Sequence, residues 1–155
     1  MTALMRSIDG EAELMLRFAA LLRQEQAALQ SGNADALPEL TTQKIRLIDT
    51  LNITSQRRNQ QLADLGLAPD QPGMTAWLAA NPGENAVAAR WQALLDLARE
   101  IRALSQINGE LIALHLRTTQ EAIAALTEGA RQAAALYGRD GQATPLTGHR
   151  IIDSA

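Results

Sequence analysis

The chain has 155 residues, 46% of them hydrophobic and 20% charged, with a net charge of −3. One domain with a real core is expected at this length, and with one Phe, one Tyr and two Trp the core must be aliphatic. The absence of cysteine excludes disulfides and thiolate metal sites, and the mild acidity argues against a dedicated nucleic-acid binder. No apolar run approaches the ~20 residues of a membrane span, and residues 1–10 lack the apolar core of a signal peptide. The expectation is a soluble, cytoplasmic protein with no stable membrane insertion and no nucleic-acid partner.

The first element runs from about Leu4 to Gln30. Ile8, Met15, Leu22 and Leu29 recur every seven residues, flanked by Leu14, Leu21 and Ala28, which predicts a heptad-like helix. Ser31-Gly32-Asn33 stops it. Asp35 then reads as an N-cap with Pro38 in the first turn. A second helix carries Leu37, Leu40, Leu47, Ile48, Leu51, Leu62 and Leu65 up to a stop at Gly66.

The short connection makes these two helices antiparallel neighbours. Each apolar stripe holds two misfits fourteen residues apart, Glu11 and Glu25 on the first helix and Lys44 and Arg58 on the second. A hairpin centred between Ala34 and Asp35 puts Glu25 opposite Lys44 and Glu11 opposite Arg58. The same register predicts Phe18 opposite Leu51 and Leu4 opposite Leu65. Two ion pairs would then fix register more than add stability; the alternative is four side chains reaching separately to water.

Residues 67–83 hold Pro69, Pro72 and Pro82, three of the five prolines. Inside this linker, Met74 to Ala80 predicts one or two helical turns capped by Thr75, with Trp77 and Leu78 pinning it to the bundle. Asn81-Pro82-Gly83-Glu84 reads as the start of the next helix, with Asn81 as its cap. From Glu84 to Tyr137 there are 54 residues without proline. As one helix they would span about 80 Å. The apolar stripe begins with Trp91, Leu94, Leu97, Ala98, Ile101 and Leu104. It widens through Ile107, Leu111, Ile112, Leu114 and Leu116, and continues through Ile123, Leu126, Ala130, Ala133 and Tyr137. Asn108-Gly109 is the one candidate break, but no polar loop follows it, so a continuous helix is favoured, at a cost of about 1 kcal/mol for the internal glycine.

The expected fold is all-α: an elongated antiparallel bundle of three long helices with a short linker helix and a C-terminal tail. Its parts are a helical domain over 1–137 (hairpin 4–66, linker 67–83, long helix 84–137) and a flexible tail over 138–155. The hairpin covers little more than half of the long helix, so the second half is expected to overhang or to pack on a neighbouring copy.

Catalytic signals are nearly absent. His115 and His149 belong to no Glu-x-x-His pair, and no phosphate-binding glycine loop occurs. No enzyme activity, cofactor, catalytic residue or metal ligand is expected. The apolar surface around residues 111–116 reads in two ways: closure on a second copy, giving a homodimeric coiled-coil adaptor or regulator, or a groove for another protein's amphipathic helix.

The order of these features resembles the FlgN family of flagellar export chaperones. In the first half the resemblance rests on Leu21-Leu22, Glu25, Ala28-Leu29 and Gly32, on Leu37, Leu40, Lys44, Leu47, Leu51 and Arg58, and on Leu65-Gly66. In the second it rests on Trp91, Leu94, Ile107-Asn108-Gly109, Leu111-Ile112 and Leu116, closing on Leu136-Tyr137-Gly138 and Asp140-Gly141. Ser105 stands where the family usually has Asn. The resemblance implies a type III secretion chaperone for the hook-associated proteins FlgK and FlgL. Such a protein binds its clients' C-terminal helical segments, prevents premature assembly and delivers them to a component of the export gate. It implies gate docking through Tyr137 and client binding along the end of the long helix. Leu111, Leu114, Ile123, Leu126 and Leu136 are the candidates taken from its apolar face.

Overall fold

The structure, a computed structural model, describes residues 2–137. Its elements are α1 (Ala3–Ser31), a 3-10 turn (Ala34–Ala36), α2 (Leu37–Asp64), α3 (Asp70–Ala80) and α4 (Asn85–Tyr137). The fold is all-α, with no strand among the described residues. The chain divides into two compact units, Met1–Ile112 and Ala113–Ala155. The expected tail, 138–155, lies outside the described residues.

Helix ends follow from local chemistry. The Thr2 hydroxyl accepts from the Met5 amide and starts α1. Gly32 stops α1 in the left-handed region at φ 70°, which lets the Asn33 amide reach back to the Ala28 carbonyl at 2.9 Å. Gly66, at φ 74°, ends α2 in the same way, with the Leu67 amide on the Leu62 carbonyl. Three expected caps fall elsewhere. Asp35 lies inside the 3-10 turn, and α2 starts at Leu37 with Pro38 in its first turn. Thr75 is internal to α3 and bonds back to the Gln71 carbonyl. Asn81 closes α3, its side-chain amide donating to the Trp77 carbonyl, while its own carbonyl accepts the Glu84 amide across the Pro82-Gly83 turn. Asn suits a C-cap, a turn and an N-cap alike, so the residue type alone cannot choose between them.

The linker helix is longer than expected, eleven residues from Asp70. Pro72 falls in its first turn, where a missing N–H breaks no helical bond. Asp70 takes a positive φ of 58° and is held there from α2. Its amide donates to Asn59 Oδ1, and its carboxylate accepts from Asn59 Nδ2 and Arg58 Nη2. Met74, wholly buried, is the plug that α3 inserts, and Trp77 and Leu78 pack beside it half-buried. Gly73 passes so close to the Ala68 carbonyl that a Cβ there would overlap its oxygen. Gly73→Ala is therefore expected to force α3 off its seat, costing about 1–3 kcal/mol. Thermal unfolding and tryptophan emission would register this; an unchanged midpoint would contradict the close approach.

Two apolar clusters make the core of the first unit. Leu4, Ile8, Leu62, Met74, Val87, Trp91 and Leu94 form one; Phe18, Leu21, Leu22, Ala28, Leu40 and Leu47 form the other, with Leu51, Ile101 and Leu104 packed against it. Both predicted ion pairs form, Arg58 Nε to Glu11 Oε2 at 2.8 Å and Lys44 Nζ to Glu25 Oε1 at 2.8 Å. Phe18 is buried in the second cluster and Leu51 packs against that cluster, consistent with the expected register. Leu4 and Leu65 do not meet: α2 ends at Asp64, so Leu65 turns out to solvent while Leu4 buries in the first cluster. Ile48 also stands exposed beside the stripe rather than in it.

Helix α4 lies parallel to α1 in this unit, tied by Asp9 to Arg90, by Arg23 to Glu100 and by Glu25 to Asn108. It is helical without interruption through Asn108-Gly109, as the absence of a following polar loop predicted.

Candidate partner-binding surface

The polar interior of the first unit contains a linked set of groups. Arg58, 3% exposed, donates to both oxygens of Glu11, to Asn59 and to Asp70, and its guanidinium lies 5.0 Å from the Trp91 ring centroid. The Ser55 hydroxyl donates to Glu11 at 2.6 Å. One arginine thereby joins α1, α2, α3 and α4. Further along, Asn108, 2% exposed, donates through Nδ2 to the Leu22 carbonyl and to Glu25 Oε2, while Lys44 holds Glu25 Oε1. These groups hold helices together, and among them Asn108 Oδ1 is left buried without a hydrogen-bond partner. Asn108 was read from sequence only as a candidate helix break. The signal for its real role was its position: it follows Trp91, Leu94, Ala98 and Ile101 on the core-facing spacing.

Beyond Ile112 the character of α4 changes. Every residue from Ala113 to Leu136 is exposed. The segment is built to stay helical without burial. It is rich in alanine, the best helix former. Thr118, Thr119 and Thr127 return their hydroxyls to the carbonyls four residues back, and Glu128 interacts with Gln132 and Arg131 one turn on.

Its aliphatic residues are ordered. Ile112, Leu116, Thr119, Ile123, Leu126, Ala130 and Ala133 follow spacings of four and three, the pattern of a helix-packing seam. Ile112 is 47% exposed, Leu116 57%, Ile123 58% and Leu126 75%. At about 100° per residue, Leu111, Leu114 and Leu136 fall on a second strip, roughly a third of a turn round the helix. Leu111 is half-buried, and Leu114 and Leu136 are about half exposed. Of the five candidates chosen from sequence, Ile123 and Leu126 thus share one strip with Ile112 and Leu116, two residues not chosen. Glu110, Arg117, Glu121 and Glu128 occupy the opposite side. Tyr137 is the last residue of α4; its side chain lies outside the described residues. Among the described residues no cluster of His, Cys, Asp or Glu could hold a metal ion, and no helix is long and apolar enough to cross a membrane.

Fold and surface together define an all-α protein whose outstanding chemical feature is an ordered, exposed apolar helix face. The family model described as "FlgN protein" matches residues 1–145. The flagella synthesis protein FlgN of Proteus mirabilis is 31% identical over 155 residues, covering 97% of this chain and 98% of that one. The namesake proteins of Yersinia enterocolitica and Salmonella typhimurium are each 29% identical, over 152 and 145 residues, with at least 91% of each chain covered. No solved structure gives a significant match. The chain belongs to the FlgN family, a family of flagella synthesis proteins.

Proposed function

We propose that this protein is a cytoplasmic type III secretion chaperone that binds the C-terminal helical segments of the hook-associated proteins FlgK and FlgL. It would keep these clients from assembling early and bring them to the export gate. The observation that carries the reading is the strip Ile112, Leu116, Ile123 and Leu126, solvent-exposed on a segment that is helical in its own right. A client segment that becomes helical on binding requires such a preformed apolar track. Four aliphatic side chains, each about half to three-quarters exposed, gain on burial about that share of roughly 1.5–3 kcal/mol apiece, which is comparable to or somewhat above the ordering cost of about 2–5 kcal/mol for a short disordered segment. The surplus is modest, which suits a client that must be released. Leu111, Leu114 and Leu136 widen the track on its second strip.

In this reading residues 1–137 form the chaperone domain and 138–155 its tail, with Tyr137 as the gate-docking residue. Tyr137→Ala is expected to leave helix content and client affinity unchanged and to slow export of FlgK and FlgL in a secretion assay. Loss of client binding would instead place Tyr137 in the client surface. The same strip also fits a second copy of the chain. Mass measurement of the free protein and of its client mixture separates the two: a 1:1 complex with client supports the chaperone, and a stable homodimer that excludes client supports the adaptor.

A further inference from the structure

The hairpin has a second surface, on the groove between α1 and α2, that the client reading does not use. Two recesses open along it, one of ≈ 540 Å³ and one of ≈ 410 Å³, joined at Leu14. At the base of the first lie half-buried Leu14 and the outer edges of the buried Leu21 and Leu47, with exposed Ala20 beside them, and Arg17 and Arg46 flank it. The second is flanked by Arg6 and Arg57. Arg17 follows Arg6 by eleven residues on α1, and Arg57 follows Arg46 by eleven on α2. Because the Glu11–Arg58 and Glu25–Lys44 pairs lock the helices antiparallel, these arginines form two pairs astride one groove. The pairs stand three helical turns apart, about 16 Å.

All four arginines are exposed, and among the described residues none has an ion-pair partner. The only carboxylate in either lining is Glu39, whose Oε1 accepts from Gln43. In a chain of net charge −3, Arg23, Arg58, Arg90, Arg99 and Arg131 pair with acids; these four do not, and unlike Arg102 and Arg117, which also lack an acid partner among the described residues, they line the two recesses of one groove in pairs. A groove with an apolar floor and cationic walls at a three-turn interval is complementary to a helix with the opposite pattern.

We propose that the outer α1–α2 groove docks an acidic amphipathic helix of a partner protein, its aliphatic face over Leu14 and Ala20. Carboxylates eleven residues apart on that helix meet the Arg6/Arg57 and Arg17/Arg46 pairs. The surface is separate from the α4 strip, and the proposal does not depend on what α4 binds. Two isolated cation pairs do not make the continuous basic face that a nucleic acid or a lipid surface requires, which favours a helix as the occupant.

The test uses the full chain and labelled amphipathic helical peptides carrying Glu at positions eleven apart, with Lys-substituted and seven-spaced Glu versions as controls. Anisotropy should show saturable binding of the eleven-spaced Glu peptide, at least tenfold tighter than either control, and weakened severalfold on raising salt from 50 to 300 mM. Arg6→Glu/Arg57→Glu and Arg17→Glu/Arg46→Glu should each lower affinity at least tenfold. Arg→Gln versions of the same pairs, which add no new charge, should do so severalfold if the Glu variants fold poorly. Leu116→Asp/Ile123→Asp, on α4, should leave peptide affinity unchanged. The proposal is overturned if the Glu peptides bind no better than the Lys peptide or if the arginine variants bind normally. It is also overturned if only phosphatidylserine vesicles or duplex RNA are retained through these arginines.

Discussion

Leu116→Asp/Ile123→Asp is expected to abolish binding of client C-terminal segments, by at least a hundredfold, while helix content and unfolding of the first unit stay at wild-type values. Both side chains are more than half exposed in the free protein, so replacing them creates no cavity. The Asp side chains remain solvated until a partner arrives, and only the complex meets the cost. That cost combines the lost burial of two aliphatic side chains, about 1.5–3 kcal/mol each, with the desolvation of two carboxylates at the centre of an apolar contact. Leu114→Asp, on the second strip, should weaken binding only severalfold. Titration calorimetry with circular dichroism on the same samples checks this. Equal effects from Leu114→Asp and Ile123→Asp would mean that the client wraps both strips, and unchanged binding in the double variant would remove α4 as the client surface.

Arg58→Ala should be the most destabilising single replacement of a polar residue in the first unit, by about 3–5 kcal/mol. Removing the guanidinium strands Glu11, which is 5% exposed, with only Ser55 as donor. It also releases Asp70 from one of its two side-chain donors and uncovers Trp91. Replacing both partners, Glu11→Leu/Arg58→Met, should recover most of the loss, because an apolar pair of similar volume leaves no buried charge unpaired. Urea unfolding of the wild type, Glu11→Leu, Arg58→Met and the double variant, run beside Arg58→Ala, checks it. If the single and double variants lose equal stability, the Glu11–Arg58 coupling is not what holds this part of the bundle. A corollary concerns α3: with Asp70 partly released, the linker helix should exchange its amides faster than α1 or α2 does.

The hairpin register was legible because its ion pairs are misfits. A glutamate, lysine or arginine on a leucine spacing has to find a partner or leave the core, and equal fourteen-residue intervals on two antiparallel helices leave few ways to pair them. The continuity of α4 was legible because no polar loop follows Asn108-Gly109 to lead the chain out of the helix. Legibility failed where two distant segments approach one another. The bond from Asn108 to Glu25 crosses 83 residues, and the contact that demands glycine at 73 comes from a loop carbonyl; neither leaves a periodic trace. Asp70 looked like an ordinary linker residue because its unusual backbone is imposed from α2 by Asn59 and Arg58. The client candidates were drawn from a broad apolar face, and only the helix geometry sorts them into two strips and adds Ile112 and Leu116 to the first.

The role proposed for the exposed strip of α4 is to hold a client helix. Its most direct test is titration of the full chain with the C-terminal segments of FlgK and FlgL, followed by calorimetry and circular dichroism. Saturable 1:1 binding, a gain of helix beyond the sum of the parts and a negative heat-capacity change are expected, with loss of all three in Leu116→Asp/Ile123→Asp. Absence of binding, or binding that persists undiminished in that variant, would contradict it.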